Sequence, residues 1–233
     1  MNATATATAN TSAASNYDEA ADYIWNNSFD KPTLVVSRAR VGVQYDALQA
    51  GLGDARIHYA VKANPAPEII RMLVERGSGF DAASRQEIEL CLSQGADPAK
   101  ISFGNTIKRG VDIAFAHSIG VTMFAADCEA ELNKIAEHAP GARVYIRLIV
   151  ENSMADWPLT RKFGCAGSLL PSLLEYTKSV GLVPYGLSFH VGSQTRRAEY
   201  WHPVLDQVAP LWHAAKEAGH DLQLLNIGGG FPA

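Results

Sequence analysis

From residue 56 onward, short apolar runs alternate with helical apolar patterns. Arg56–Val61, reading RIHYAV, predicts a compact strand. Pro67–Arg76 predicts a helix, with Ile69, Ile70, Leu73 and Val74 at helical spacing and Gly77 to end it. Gly79–Asp81 predicts a brief strand, and Ser84–Gln94 a helix stopped by Gly95. Ser84 followed by Glu87 is a capping-box pattern, in which hydroxyl and carboxylate each take one free amide. The cycle continues with strands over Ile101–Phe103, Val121–Ala125, Val144–Val150, Gly186–Val191 and Leu222–Ile227. Between them fall helices over Ile107–His117, Glu129–His138, Leu169–Val180 and Tyr200–Ala218, with Pro171 tolerable in a first turn.

Strict strand–helix alternation demands a parallel sheet, because each crossover returns the chain in the same direction. An open doubly wound sheet and a closed eight-stranded barrel both fit. The seventh strand runs into Gly228-Gly229-Gly230-Phe231-Pro232-Ala233, where an eighth unit should follow. The favoured reading is therefore an α/β fold, a TIM-like (β/α)8 barrel over residues 56–233, truncated before its final unit. The sequence is expected to be an N-terminal fragment. Residues 17–55, with the apolar run Thr33–Val36 and a helix around Val43–Leu52, are expected to form an N-terminal extension.

Residues 1–16 are mostly Ala, Thr, Asn and Ser with no charged side chain, which predicts a disordered tail. They lack the basic start and apolar core of a secretory signal, so the Asn-x-Thr/Ser patterns at Asn2 and Asn10 are chance matches and a cytoplasmic location is expected. The composition narrows the partners. Of 233 residues, 47% are hydrophobic and 19% charged, ample for a core, and 20 Lys+Arg against 24 Asp+Glu leave a net charge of −4. No cluster of basic residues suits nucleic acid, and no apolar run approaches the ~18 residues that span a bilayer. Cys91, Cys128 and Cys165 are too few and scattered for a disulfide framework or a metal site.

In a parallel barrel, chemistry gathers at the carboxyl ends of the strands. Those ends carry Lys62, Asp81, Asn105, Asp127, Arg147, His190, Ser193 and the glycines 228–230. Lys62 closes the first strand in Tyr59-Ala60-Val61-Lys62-Ala63-Asn64-Pro65. A lysine held against an apolar strand should lose ammonium stability and become nucleophilic, whereas a lysine snorkelling into solvent should not. Gly228–Gly230 after a strand exposes backbone amides, a cradle for phosphate. His190-Val191-Gly192-Ser193-Gln194 offers an imidazole that could stack on a flat ring and a hydroxyl for a phosphate oxygen. An amine, an anion cradle and a flat imidazole at one barrel mouth are what a pyridoxal-phosphate site needs.

Five motifs then resemble one family. Tyr59-Ala60-Val61-Lys62-Ala63-Asn64, Gly79-Phe80-Asp81-Ala82-Ala83-Ser84 with Glu87, Arg161-Lys162-Phe163-Gly164, Ser188-Phe189-His190-Val191-Gly192-Ser193 and Gly228-Gly229-Gly230-Phe231-Pro232 are similar to the ornithine decarboxylase family. These are the alanine-racemase-fold, pyridoxal-phosphate-dependent basic amino-acid decarboxylases. Ala126-Asp127-Cys128-Glu129 is similar to the family's Asp-Cys-Glu turn. The likeness covers about Thr33 to Ala233.

The resemblance implies roles. Lys62 matches the lysine that bonds the cofactor aldehyde, Asp81 and Glu87 acidic residues beside the cofactor, and Arg147 an arginine near its ring. His190 matches the histidine stacked on that ring, and is counted with Lys62 as catalytic. Ser193 and Gly230, with Gly228 and Gly229, match phosphate ligands. Lys162 matches a lysine that forms a salt bridge across a homodimer with shared active sites. No metal, nucleic acid or membrane is implied.

Members of the family continue beyond the position of Ala233 with a β-domain, the carboxylate that pairs with the pyridine nitrogen, and the Cys and Asp that reach the partner's site. The fragment alone is thus expected to be weakly active or inactive. The implied reaction is decarboxylation of a basic amino acid, L-ornithine to putrescine, in polyamine biosynthesis. Lysine, diaminopimelate, arginine or carboxynorspermidine decarboxylation is the alternative within the family, and a non-catalytic decarboxylase-like regulator the alternative outside it. A dinucleotide-binding oxidoreductase is disfavoured, because Lys62-Ala63-Asn64-Pro65 stands where a G-x-G-x-x-G turn should be.

Overall fold

Among the described residues, seven strands pair in the order in which the chain makes them. They are β1 (His58–Ala60), β2 (Gly79–Ala82), β3 (Ile101–Phe103), β4 (Met123–Ala126), β5 (Arg143–Arg147), β6 (Val183–Ser188) and β7 (Leu224–Asn226). Every neighbouring pair is parallel. This computed structural model describes residues 12–150 and 162–232. Contacts divide the chain into units 1–56 and 57–233.

Strand order separates the two architectures left open by the sequence. A doubly wound sheet reverses its order at a switch point, whereas right-handed crossovers between sequential strands keep every helix on one side. The observed order β1 to β7 is that of a TIM-like barrel, with the sheet curled inside α3 (Pro67–Glu75), α4 (Arg85–Ser93), α5 (Gly110–Ser118), α6 (Glu129–His138), α7 (Leu170–Ser179) and α8 (His202–Glu217). Period-two alternation sorts the strand residues between two faces. Phe80, Ile101, Phe103, Phe124, Val144, Ile146 and Leu187 are buried on one. Register aligns Ala60, Asp81, Ser102 and Met123 on the other, where Met123, Ala125 and Tyr145 pack with Tyr185 and Leu224.

Two strands depart from expectation by three residues, for identifiable reasons, while β1, β2, β4 and β7 differ by one or two at their ends. β6 begins and ends three residues before the expected Gly186–Val191, with a register shift opposite Val144 and Tyr145 that leaves Tyr185 as an extra residue. Beyond Ser188 the chain leaves the ladder, because Gly192 N–H donates to His190 Nδ1 (2.9 Å) and turns it. β5 ends at Arg147 rather than at Val150, and Leu148 instead bridges to Cys165. The capping box at α4 forms, with Ser84 Oγ accepting from Glu87 N–H (3.3 Å) and Glu87 Oε2 accepting from Ala83 N–H (2.6 Å).

The first unit contains α1 (Ser12–Asn26) and α2 (Arg38–Leu52), the latter capped by Ser37 Oγ, which accepts from Arg40 N–H (3.3 Å). α1 begins at Ser12, within the segment expected to be a tail, where the run is rich in Ser and Ala and continues into the apolar–acidic pattern of α1. Residues 1–11 of that expectation lie outside the described residues, as does Arg161.

Candidate active site

β1 ends at Ala60, and the chain folds at once into a 3-10 turn, Val61–Ala63, centred on Lys62. Tyr59 donates its hydroxyl to the Asn64 carbonyl (3.3 Å), and Asn64 Oδ1 accepts from Ala66 N–H (3.1 Å), which fixes the turn before α3. Val61 is buried beneath it, while Lys62 is exposed. The expectation of a lysine pressed against an apolar strand is thereby corrected. The turn lifts the side chain off the sheet, and its charge acts on both Asp81 and His190.

Asp81, on β2, is the hub of the polar residues. Its Oδ1 accepts from Ser102 Oγ (3.1 Å) on β3, and Ser102 Oγ in turn meets Tyr145 OH (2.7 Å) on β5. Burial pushes the Asp81 carboxyl above the usual carboxylate range. The Ser102 hydrogen bond, Lys62 and Arg147 oppose that rise, and Glu87 adds to it. Gly104 faces the carboxylate so closely that any Cβ there would overlap Oδ1.

His190 follows β6. Burial, and next the charges of Arg147 and Lys62, together lower its pKa to about 4, so the ring is neutral near pH 7. Because Nδ1 accepts from Gly192 N–H, the hydrogen of that neutral ring sits on Nε2. The position a Gly229 Cβ would take is open, with His190 Nε2 its nearest neighbour at 3.8 Å.

The glycine turn is pinned on both sides. Gly228 (φ +74°) and Gly230 (φ +92°) adopt the left-handed region, and a Cβ on either would strike the backbone after β6, at Phe189 O and Gly192 O respectively. Asn226 Oδ1 accepts from Gly228 N–H (2.9 Å), and Thr195 N–H donates to Gly230 O (2.8 Å). With Gly228 N–H thus committed, the amides of Gly229 and Gly230 have no partner among the described residues and are available to an anion. Ser193 lies half-buried on the adjoining loop, beside Gln194 at φ 55°.

The structure therefore brings Lys62, Asp81, Glu87, Arg147 and His190 into one electrostatic neighbourhood, with Ser193 and Gly228–Gly230 on the two loops beside His190. Lys162 is exposed and joins them only at a remove: its Nζ lies 5.7 Å from the Phe163 ring, against which Arg147 also rests at 5.5 Å. Asn105 and Asp127 serve the loops instead. Asn105 Nδ2 donates to Ala83 O (3.4 Å), and Asp127 Oδ2 accepts from Gly164 N–H (2.9 Å). Among the described residues no group of three His, Cys, Asp or Glu could hold a metal, and no helix is long and apolar enough to cross a membrane.

Four residues escaped the sequence reading: Ser102, Tyr145, Thr195 and Asn226. The signal for the first two was available, since Ser102 lies between Ile101 and Phe103, and Tyr145 between Val144 and Ile146, each a hydroxyl at an inward position flanked by buried apolar residues.

A primary amine, a neutral imidazole and two free amides on a glycine turn form a donor set that fits pyridoxal phosphate. The model of one family, the pyridoxal-dependent decarboxylase, pyridoxal binding domain, matches residues 38–233. The chain belongs to the pyridoxal-dependent decarboxylases. Pyridoxal phosphate is the cofactor of this domain.

Among these decarboxylases the chain is 37% identical over 209 residues to decarboxylase flvG of Aspergillus flavus, covering 90% of this chain and 49% of that one. It is 36% identical over 201 residues to a lysine/ornithine decarboxylase of Selenomonas ruminantium, covering 86% and 51%. The solved structure of lysine decarboxylase from Selenomonas ruminantium matches with a TM-score of 0.84 at 34% identity, over 93% of this chain and 56% of that one. The chain spans about half the length of the curated relatives it matches.

Proposed function

We propose that this chain supplies the cofactor-binding half of a decarboxylase acting on a basic amino acid, with L-ornithine as substrate and putrescine as product. The observation that carries the reading is the convergence of Lys62, Asp81, Arg147 and His190 at the carboxyl ends of the strands, beside an anion-ready glycine turn. Lys62 supplies the amine that holds the cofactor aldehyde. Ser193 and the Gly229 and Gly230 amides hold its phosphate, with Gly228 shaping their turn, and His190 lies against its ring.

When bound, the cofactor supplies an electron sink for the pair left on the α-carbon as carbon dioxide departs. The chain's own residues do the rest. His190, neutral near pH 7, presents a flat face without adding positive charge beside a cationic ring. Asp81 and Glu87 set negative charge against Lys62 and Arg147, which orients the amine. A partly buried site favours loss of the substrate carboxylate charge in the transition state, the differential stabilisation that catalysis requires. The α-carbon then takes up one proton, so the reaction consumes a proton and yields carbon dioxide and a diamine.

The Ser84-Arg85-Gln86-Glu87 and Ser188-Phe189-His190 motifs support ornithine. The identity to a lysine/ornithine decarboxylase favours lysine as a second substrate, with cadaverine as product. A homodimer with Lys162 at its interface belongs to the same reading. The test is release of labelled carbon dioxide with putrescine or cadaverine by the full-length protein, and its loss in Lys62→Ala. Cofactor bound with neither diamine released overturns the proposal.

A further inference from the structure

Three strands contribute one hydroxyl or carboxyl each to a continuous chain inside the barrel: Tyr145 on β5, Ser102 on β3 and Asp81 on β2. Tyr145 and Ser102 are 2% and 3% exposed. Ala125, opposite Tyr145 on β4, carries only a methyl group, which leaves the phenol room to pass over β4 and reach β3. Nothing in barrel packing requires these oxygens, since Met123, Ala125 and Leu224 around them are apolar and Phe or Ala would fill similar space.

We propose that Ser102 and Tyr145 are positioning residues, forming a directional hydrogen-bond chain that holds Asp81 ionised and aimed at the amine of Lys62. The direction follows from counting hydrogens. An ionised Asp81 has none to give, so Ser102 donates its single hydrogen to Oδ1. Tyr145 must then donate to Ser102. Burial, and next the nearby Asp81 charge, push the phenol well above its ordinary pKa, so it remains a donor. A proton on Oδ1 would reverse the chain and strand the phenol hydrogen, because Ser102 is its one hydrogen-bond partner among the described residues; a proton on Oδ2 leaves Oδ1 an acceptor, but a neutral carbonyl oxygen accepts more weakly than a carboxylate. The chain thus favours the carboxylate against the burial that disfavours it.

The charged groups acting on Asp81 are Lys62 after β1, Arg147 on β5 and Glu87 on α4. Lys62 and Arg147 already favour the carboxylate by their charge. Ser102 and Tyr145 act from the buried side, where no other donor reaches it among the described residues. Their consequence for catalysis rests on the proposed function, which places the cofactor over Lys62. Their effect on Asp81 does not.

The test exploits that separation. Infrared pH titration of the full-length protein, with and without pyridoxal phosphate, follows the protonated-carboxyl band that disappears in Asp81→Asn. Ser102→Ala raises the Asp81 midpoint by about one pH unit, a tenfold loss of acidity, and Tyr145→Phe raises it by less in the same direction. Ser102→Thr, which keeps the hydroxyl, restores it. In the loaded enzyme the acid limb of the kcat profile moves with the midpoint while KM stays nearly constant. Tyr145→Phe removes one oxygen without changing shape and decides the matter should Ser102→Ala not fold. A folded Tyr145→Phe protein with an unmoved Asp81 midpoint overturns the proposal. Absence of decarboxylation with the midpoints moved as expected overturns the proposed function and leaves the hydrogen-bond chain standing.

Discussion

Gly104 gives up its side-chain volume to the carboxylate of Asp81. A Cβ built at Gly104 falls on Asp81 Oδ1, the same oxygen that accepts from Ser102. The glycine follows β3 directly, so its backbone cannot retreat without breaking the hydrogen bond from Gly104 N–H to Ala82 O (2.9 Å). Gly104→Ala therefore has to displace the carboxylate. It is expected to lower stability by about 1–3 kcal/mol, the usual cost of overpacking. It should also weaken cofactor affinity, because Asp81 loses its aim at Lys62. Urea unfolding and a pyridoxal-phosphate titration measure the two effects, and an unchanged affinity would show that Asp81 orientation is irrelevant to cofactor binding.

Protonation of His190 should destabilise the fold. Its pKa falls to about 4 in the folded protein through burial and the charges of Arg147 and Lys62, against ~6.5 in an unfolded chain. The unfolded state therefore binds the proton more readily. The stability linked to neutral His190 is fully present above about pH 6.5 and is lost as pH falls through about 4. His190→Gln removes the titration, so the difference in unfolding free energy between wild type and variant should depend on pH between about 4 and 6.5 and level off above. A difference that stays flat across that window would contradict the neutral assignment.

Much of the barrel was legible because alternation carries it. Helices end at glycines, strands are short apolar runs, and strand ends supply most of the site list, with Glu87 and Lys162 added by the family resemblance. The failures have physical causes. The apolar pattern puts β6 three residues late because Val191 and Phe189 look like strand residues, whereas the bulge at Tyr185 and the His190–Gly192 turn are local hydrogen-bond events that hydropathy does not record. Lys62 was expected against the sheet because a run of apolar neighbours does not reveal a 3-10 turn. Ser102 and Tyr145 stand 43 residues apart, and only the register of β3, β4 and β5 brings their hydroxyls together.

A second buried charge lies outside the site. Lys108 and Glu131 pair at 2.8 Å with side chains 0% and 3% exposed. Lys108 Nζ also donates to Asn105 O (2.8 Å) and Ala125 O (2.6 Å), tying the loop after β3 to β4. Glu131 engages Lys134 as well (2.6 Å). Removing only the carboxylate leaves a buried ammonium without its counter-charge. Glu131→Ala should therefore cost about 3–5 kcal/mol, while Lys108→Met with Glu131→Leu should cost less, since it leaves no unpaired buried charge and only deprives the Asn105 and Ala125 carbonyls of a donor. Denaturant unfolding of the single and double variants measures both, and equal losses would mean that the pair contributes by packing alone.

The glycine turn offers the sharpest separation of fold from site. Gly230 combines φ +92° with a Cβ position that collides with Gly192 O, so Gly230→Ala must push β7's outgoing loop away from the loop after β6. That motion breaks the Thr195 N–H to Gly230 O bond and shifts the two amides left free for phosphate. Gly229→Ala meets no such obstacle, its nearest neighbour being His190 Nε2 at 3.8 Å. The two substitutions add the same methyl group one residue apart. Gly230→Ala is expected to weaken pyridoxal-phosphate binding at least about tenfold, the equivalent of one lost charge-assisted hydrogen bond. Gly229→Ala should change thermal stability little and disturb chiefly the ring contact with His190, which the absorbance spectrum of the bound cofactor would register. Equal affinity losses in both variants would argue that the turn holds the phosphate by overall shape and not by its two amides.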